Sequence, residues 1–163
     1  MTQKGYPERD ATETWEKEGV TYSIVQHTSF MTHYCGYCRF ATRPVKEQGY
    51  DGFLAYVPAH GGITYAKQSE DGSMVYGFDC AHAGDEDNPN VTDMVWLRTE
   101  CEKMAAGILA ASPYEKRYLL AADNETKAAI IDEYHEHMER EYEARFDLQD
   151  NFGAMLRALS GSL

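Results

Sequence analysis

The sequence has no surplus of positive charge. Its 15 lysines and arginines stand against 27 aspartates and glutamates, a formal net charge of −12. A nucleic-acid binder needs a basic face to displace counterions from phosphates, so this balance argues against DNA or RNA as the direct partner. An acidic surface keeps a protein soluble, and it can also meet a host protein with a basic surface. No apolar run approaches the roughly 18 residues of a membrane helix, so no membrane partner is expected. The opening stretch MTQKGYPERDATETWEKEG is polar, without a signal-peptide core, and a cytoplasmic location is the expectation. Internal repeats and low-complexity tracts are absent. Cysteine is sparse: Cys35, Cys38, Cys80 and Cys101. In a reducing compartment these read as free thiols or metal ligands rather than disulfides.

What is present suits one globular domain over 1–163, with a sheet-rich part at 19–82 and a helical part at 92–160. A composition 43% hydrophobic and 26% charged separates the chain from disordered sequences. Residues 1–18 read as a frayed lead-in with one helical turn around Thr14–Lys17. GVTYSIVQHT (19–28) and THYCGYCRFA (32–41) are rich in β-branched and aromatic residues and predict strands, with Gly36 a candidate bulge. A loop follows over 42–52. FLAYVPA (53–59) predicts a short strand, and GGITYAKQ (61–68) and SMVYGFDCAH (73–82) predict a hairpin around the SEDG turn. Position sums near about 141 then set His60 opposite roughly residue 81, so the segments HGG and DCAH meet at one rim of the sheet.

Beyond residue 92 the period becomes helical. Met94, Leu97, Cys101, Met104, Ala105 and Ile108 share a stripe behind a Thr92 or Asp93 cap, with Glu100 and Glu102 as exposed acids. Ser112 before Pro113 predicts a new helix over 112–123. The stretch 124–146 predicts an amphipathic helix with Ala128, Ile131, Tyr134 or His135, Met138, Tyr142 and Phe146 inward. Its His135, Glu136 and His137 lack the H-E-x-x-H spacing and read as a solvated face. A last helix is expected with Phe152, Met155, Leu156 and Leu159 inward. Strands first and helices second predict an α+β fold: an N-terminal antiparallel sheet of four to five strands with C-terminal helices packed on one side.

The chemistry concentrates in YGFDCAHAGDED (76–87). Cys35, Cys38, Cys80 and His82 would suit a closed Cys₃His zinc site. His60, His82, Asp79 and Asp85 would suit a catalytic ion with an open position. Cys80 with His60 or His82 would suit a thiolate–imidazole pair, although no nucleophile elbow surrounds it. Set against these, buried cysteines pack as small apolar groups, and a histidine can simply hold a loop carbonyl. Gly61 and Gly62 let backbone amides approach a ligand, or serve a tight strand entry. The dense aromatics of 34–78 are mostly sheet core, and a few could line a pocket for a flat ligand.

The segments CGY (35–37), HGGITY (60–65), YGFDCAHAGD (76–85) and, more loosely, VWLRTECEKMA (95–105) resemble a family of uncharacterised proteins encoded in phage and prophage genomes. The likeness covers about residues 35–110. It implies an origin and a site at His60, Gly61, Gly62, Asp79, Cys80, His82 and Asp85. The family's pattern carries the first cysteine of CGY without a dependable second, so Cys38 departs from it. The resemblance favours an accessory protein that binds a host protein, such as an anti-defence or anti-CRISPR inhibitor, or a small signalling ligand. The alternatives are a metal- or thiol-dependent hydrolase using His60, Asp79, Cys80, His82 and Asp85, with zinc the candidate cofactor, and a structural phage domain.

Overall fold

A computed structural model describes residues 5–28, 31–46 and 52–147. Five antiparallel strands, β1 (Glu13–Lys17), β2 (Val20–His27), β3 (His33–Phe40), β4 (Tyr65–Gln68) and β5 (Met74–Asp79), form one sheet in the order β1-β2-β3-β5-β4. Two long helices follow, α1 (Met94–Leu120) and α2 (Asn124–Tyr142), and a π-helical turn (Glu143–Asp147) continues α2. The fold is α+β. The chain divides into two compact units, Met1–Lys116 and Arg117–Leu163.

β1 lies where the sequence predicted a frayed segment with a helical turn. Its signal was short, because Trp15 is the strand's one apolar residue. The turn chemistry was the missed clue. Lys17 pairs with Val20 across the two residues Glu18 and Gly19, both at positive φ (53° and 79°), as a tight hairpin demands. Trp15 then stacks on Tyr22 at 5.1 Å, donates through Nε1 to Glu102 at 3.4 Å, and lies under the Arg98 guanidinium at 4.6 Å.

Strand alternation sorts the side chains into two faces. In register, Ile24 meets Gly36 and Gly36 meets Phe78; Tyr22 meets Cys38 and Cys38 meets Tyr76. This face packs on the first part of α1. The ladder passes through Gly36 unbroken, so Gly36 is not a bulge. It is a gap: a Cβ there would stand 2.6 Å from Cys101 Sγ of α1 and 2.6 Å from the Phe78 ring. The face is closed by Met74, Leu97, Met104 and Ile108, all fully buried.

The opposite face carries Val25, Cys35, Tyr37 and Val75, with Tyr6, Ala11 and Tyr65 packed on it. Arg39 clasps the N-terminal segment here. Its guanidinium donates to both Glu8 oxygens (2.6 and 2.8 Å), to Ser69 and Ser73 Oγ (2.6 and 2.7 Å) and to the Tyr6 carbonyl (2.8 Å). The Tyr6 and Tyr37 hydroxyls hydrogen-bond each other beside it.

Three other expectations need correction. The segment 53–59 is no strand. It makes a 3₁₀ turn, Phe53–Tyr56, that buries Phe53 and Leu54. β4 is shorter than 61–68, because Gly61 and Gly62 take positive φ (68° and 88°), incompatible with a ladder. α1 does not restart at Ser112; it runs through Pro113. Burial of Ala111 and of Glu115, whose Oε1 accepts the Lys46 N–H at 2.7 Å, holds the helix on either side of the proline. The cap is Asp93, which accepts from the Val95 N–H at 2.9 Å.

In the second unit, Asp123 caps α2 by accepting the Thr126 N–H at 2.7 Å, and Arg117 grips Glu133 with two bonds of 2.9 and 2.8 Å. The buried stripe is Ile130, Tyr134 and Met138. Ile130 rather than Ile131 is inward, and Ala128 is exposed, since a four-residue step back from Tyr134 sets the stripe. The expected helix at 152–159 lies outside the described residues.

Candidate functional site

The hairpin register places two distant segments at one corner. Tyr65 opposite Gly77 and Gln68 opposite Met74 both sum to 142, one more than expected. The loop before β4 therefore meets the exit of β5. The imidazoles of His60 and His82 lie 5.9 Å apart between centroids.

Local chemistry builds the exit. Asp79 Oδ1 accepts the Ala81 N–H at 3.0 Å and bends the chain out of β5. Gly84 at φ 93° turns it back. Asp85 then closes the loop: its N–H donates to the His82 carbonyl at 3.0 Å, and its Oδ2 accepts the His82 N–H at 2.9 Å. Its other oxygen, Oδ1, accepts from His60 Nε2 at 2.9 Å. A carboxylate takes only a donor, so Nε2 of His60 carries the proton. Asp85 is buried, at 7% exposure, and both its oxygens are used. Bonds of this charge-assisted kind contribute about 1.5–3 kcal/mol each. Asp85 is thus the tie that binds loop 59–62 to loop 80–92.

His82 is held differently. Its Nε2 sits 3.3 Å from Asp79 Oδ1, within ion-pair range, but the alignment makes no hydrogen bond, and among the described residues this buried nitrogen has no other partner. Gly61 lies against the ring. A Cβ on Gly61 would fall 2.2 Å from His82 Nε2. The glycine at this position serves a close approach as well as a positive φ; a Cβ added to Gly62 would meet nothing within 4 Å.

α1 supplies a wall that the sequence did not reveal. Trp96 meets the His60 ring edge-on at 5.2 Å, and Phe78 of β5 meets it at 6.3 Å. Glu100, one turn after Trp96, was expected to be an exposed acid. Instead burial holds its carboxyl above the usual range, opposed by the charges of Lys103 and His60. The available signal was the four-residue spacing of Trp96 and Glu100, which places both on one side of the helix.

The thiols are not poised for chemistry. Burial pushes Cys80 up to about 12, and the charges of Asp85, Asp79 and Glu100 push the same way. Burial likewise pushes Cys35 up to about 11 and holds Cys38 and Cys101 above the ordinary thiol range. A nucleophilic cysteine needs the reverse. All four are free and buried.

The closed Cys₃His set does not assemble. Cys38 points to the α1 side of the sheet and Cys35, three residues earlier, to the other, because alternation separates odd from even positions. His60, His82, Asp79 and Asp85 do gather, but as two separate histidine–carboxylate pairs. Among the described residues, no group of three His, Cys, Asp or Glu side chains can hold a metal ion. His135 and Glu136 are exposed and His137 half-buried.

Beside this corner lies a cleft of about 800 Å³ between the turn end of the β2–β3 hairpin and loop 80–92. Met31, His33 and Tyr34 line it together with Cys80, His82 and the acidic run Asp85, Glu86 and Asp87. Among the described residues, no lysine or arginine lines it. Compared with known protein families, curated proteins and solved structures, the chain matches none.

Proposed function

We propose that this chain is a phage-type accessory protein that acts by binding, and that it engages a basic surface of a host protein through the acidic cleft beside loop 80–92. An anti-defence target such as a CRISPR nuclease belongs to this class of partner. One observation carries the reading: a cleft that, among the described residues, is lined by three carboxylates and no lysine or arginine, on a chain of net charge −12. Such a surface attracts a positively charged partner at long range and rejects phosphate-rich ones. Among the described residues, no helix is long and apolar enough to cross a membrane.

The test is co-purification from host lysate with tagged wild type and with Glu86→Lys/Asp87→Lys. A basic protein retained by wild type, released by added salt and lost in the charge-reversed variant supports the reading. Equal capture by both proteins, or no partner, overturns it. A small ligand found by native mass spectrometry would point to the signalling-ligand alternative.

A second reading, hydrolysis at the same corner, draws on the His60–Asp85 pair, since a general base needs an orienting carboxylate. A metal-free version would rest on His60, because Cys80 remains a thiol at neutral pH. His60→Ala that abolishes a measured turnover while leaving the fold intact would favour it.

A further inference from the structure

We infer that His60 and Glu100 act as the base and the acid in the hydrolysis of carboxylic esters that carry no negative charge, with Asp85 as a positioning residue. This rests on the hydrolytic reading above and names its working atom, its proton donor and its substrate class.

The first argument is the state of the His60 ring. Its Nε2 proton is committed to Asp85 Oδ1 at 2.9 Å. Nδ1 of the neutral ring therefore carries the lone pair. Among the described residues, the buried polar side-chain atoms without a partner are Ser23 Oγ, Tyr76 OH and His82 Nε2. His60 Nδ1 is not one of them, and no hydrogen bond among the described residues reaches it. It therefore opens to solvent, on a side chain that is 19% exposed. The ring is also held in place: Asp85 fixes one edge, and Trp96 and Phe78 meet it at 5.2 and 6.3 Å. An imidazole fixed by a buried carboxylate through one nitrogen and free at the other has the geometry of a general base. His82 differs, because its Nε2 is buried and shut in by Gly61.

Glu100 supplies the complementary group. It follows Trp96 by one helical turn, and the charge of His60 acts on its carboxyl. Burial favours its protonated form, so it can hand a proton to a leaving group. His60 Nδ1 takes a proton from water as the water oxygen bonds to the acyl carbon. The acyl–oxygen bond then breaks, and the leaving oxygen takes the Glu100 proton. The proton on His60 returns through solvent to Glu100, so the net change is ester plus water to acid plus alcohol. Charge selects the substrate. Asp79, Asp85 and Glu100 gather here against the single lysine that acts on Glu100, Lys103. An anionic ester is repelled from such a corner, and a neutral one is not.

The test is hydrolysis of p-nitrophenyl acetate, methyl acetate and mono-p-nitrophenyl succinate by the full chain. The expected result is release of p-nitrophenolate from the acetate faster than free imidazole achieves at the same concentration. His60→Gln keeps an N–H for Asp85 and removes the base; it should lower that rate by about 100-fold or more. Asp85→Asn should lower kcat and leave KM within about twofold, as loss of positioning requires. Glu100→Gln should slow the methyl ester about tenfold more than the p-nitrophenyl ester, because methoxide needs a proton to leave and p-nitrophenolate does not. The succinate, an anion, should react several-fold more slowly than the acetate. If His60→Gln fails to fold, diethyl pyrocarbonate replaces it: turnover lost in step with His60 modification in wild type supports the inference, and turnover retained overturns it. Wild type no faster than imidazole, or His60→Gln as active as wild type, would remove the hydrolytic reading and this inference together. If His60→Gln is inactive but Glu100→Gln slows both acetates equally, or the succinate reacts as fast as the acetate, the hydrolytic reading stands and this inference falls.

Discussion

Gly61→Ala probes the corner most directly. Two costs arise. Gly61 has φ 68°, where an L-residue with a Cβ costs about 1–2 kcal/mol. The new Cβ would also stand 2.2 to 2.8 Å from Nε2, Cδ2 and Cε1 of His82, so the ring must move. Forcing atoms into a packed site costs about 1–3 kcal/mol. The single variant should therefore lose about 2–5 kcal/mol, the sum of the two ranges. His82→Ala removes the ring and leaves the backbone strain. In the double variant the clash disappears, so the two changes should be non-additive by about 1–3 kcal/mol, with the double variant more stable than the sum of singles. The assay is urea unfolding followed by tryptophan fluorescence. Trp15 and Trp96 are the chain's tryptophans, and both lie in the unit Met1–Lys116, so the signal reports the unit that holds the site. Comparable m-values are needed before the energies are compared. Additivity within about 0.5 kcal/mol would refute the argument, because it would show that Gly61 and His82 do not touch in solution.

Two further expectations concern the scaffold. Arg39→Lys replaces a fork serving Glu8, Ser69, Ser73 and the Tyr6 carbonyl with a single ammonium; a loss of about 1–3 kcal/mol is expected in urea unfolding, and no loss would show the clasp to be absent. The buried thiols should make the fold sensitive to alkali. Their folded pKa values are raised, so the unfolded chain releases protons first; the stabilisation is complete below the ordinary thiol pKa and is lost as pH rises above it. Each thiol should cost about 1 kcal/mol between pH 9 and 10, and Cys80→Ala should flatten that slope; an unchanged slope would contradict burial of Cys80.

The legible parts of the fold are those written in local sequence. The β4–β5 hairpin could be read because a glycine-containing turn joins two β-rich runs, and its register followed to within one position. That register brought His60 to His82 before any tertiary contact was known. Leu97, Cys101, Met104 and Ile108 were legible from helical period. β1 was not, since a strand with a single apolar residue has no period; its partner β2 and the Glu18–Gly19 turn define it. Nor was the path through Pro113, where burial on both sides outweighs the local signal to stop.

The sequence alone determined the α+β class, the acid surplus and the meeting of HGG with DCAH, because propensity, charge and hairpin register act between near neighbours. Only the tertiary structure decided what that meeting contains. It sent Cys35 and Cys38 to opposite faces, brought Trp96 and Glu100 of α1 to His60, and set Gly61 against His82. The reason is geometric: a side chain's face follows from its strand, but what waits on that face depends on how a helix remote in sequence packs against the sheet.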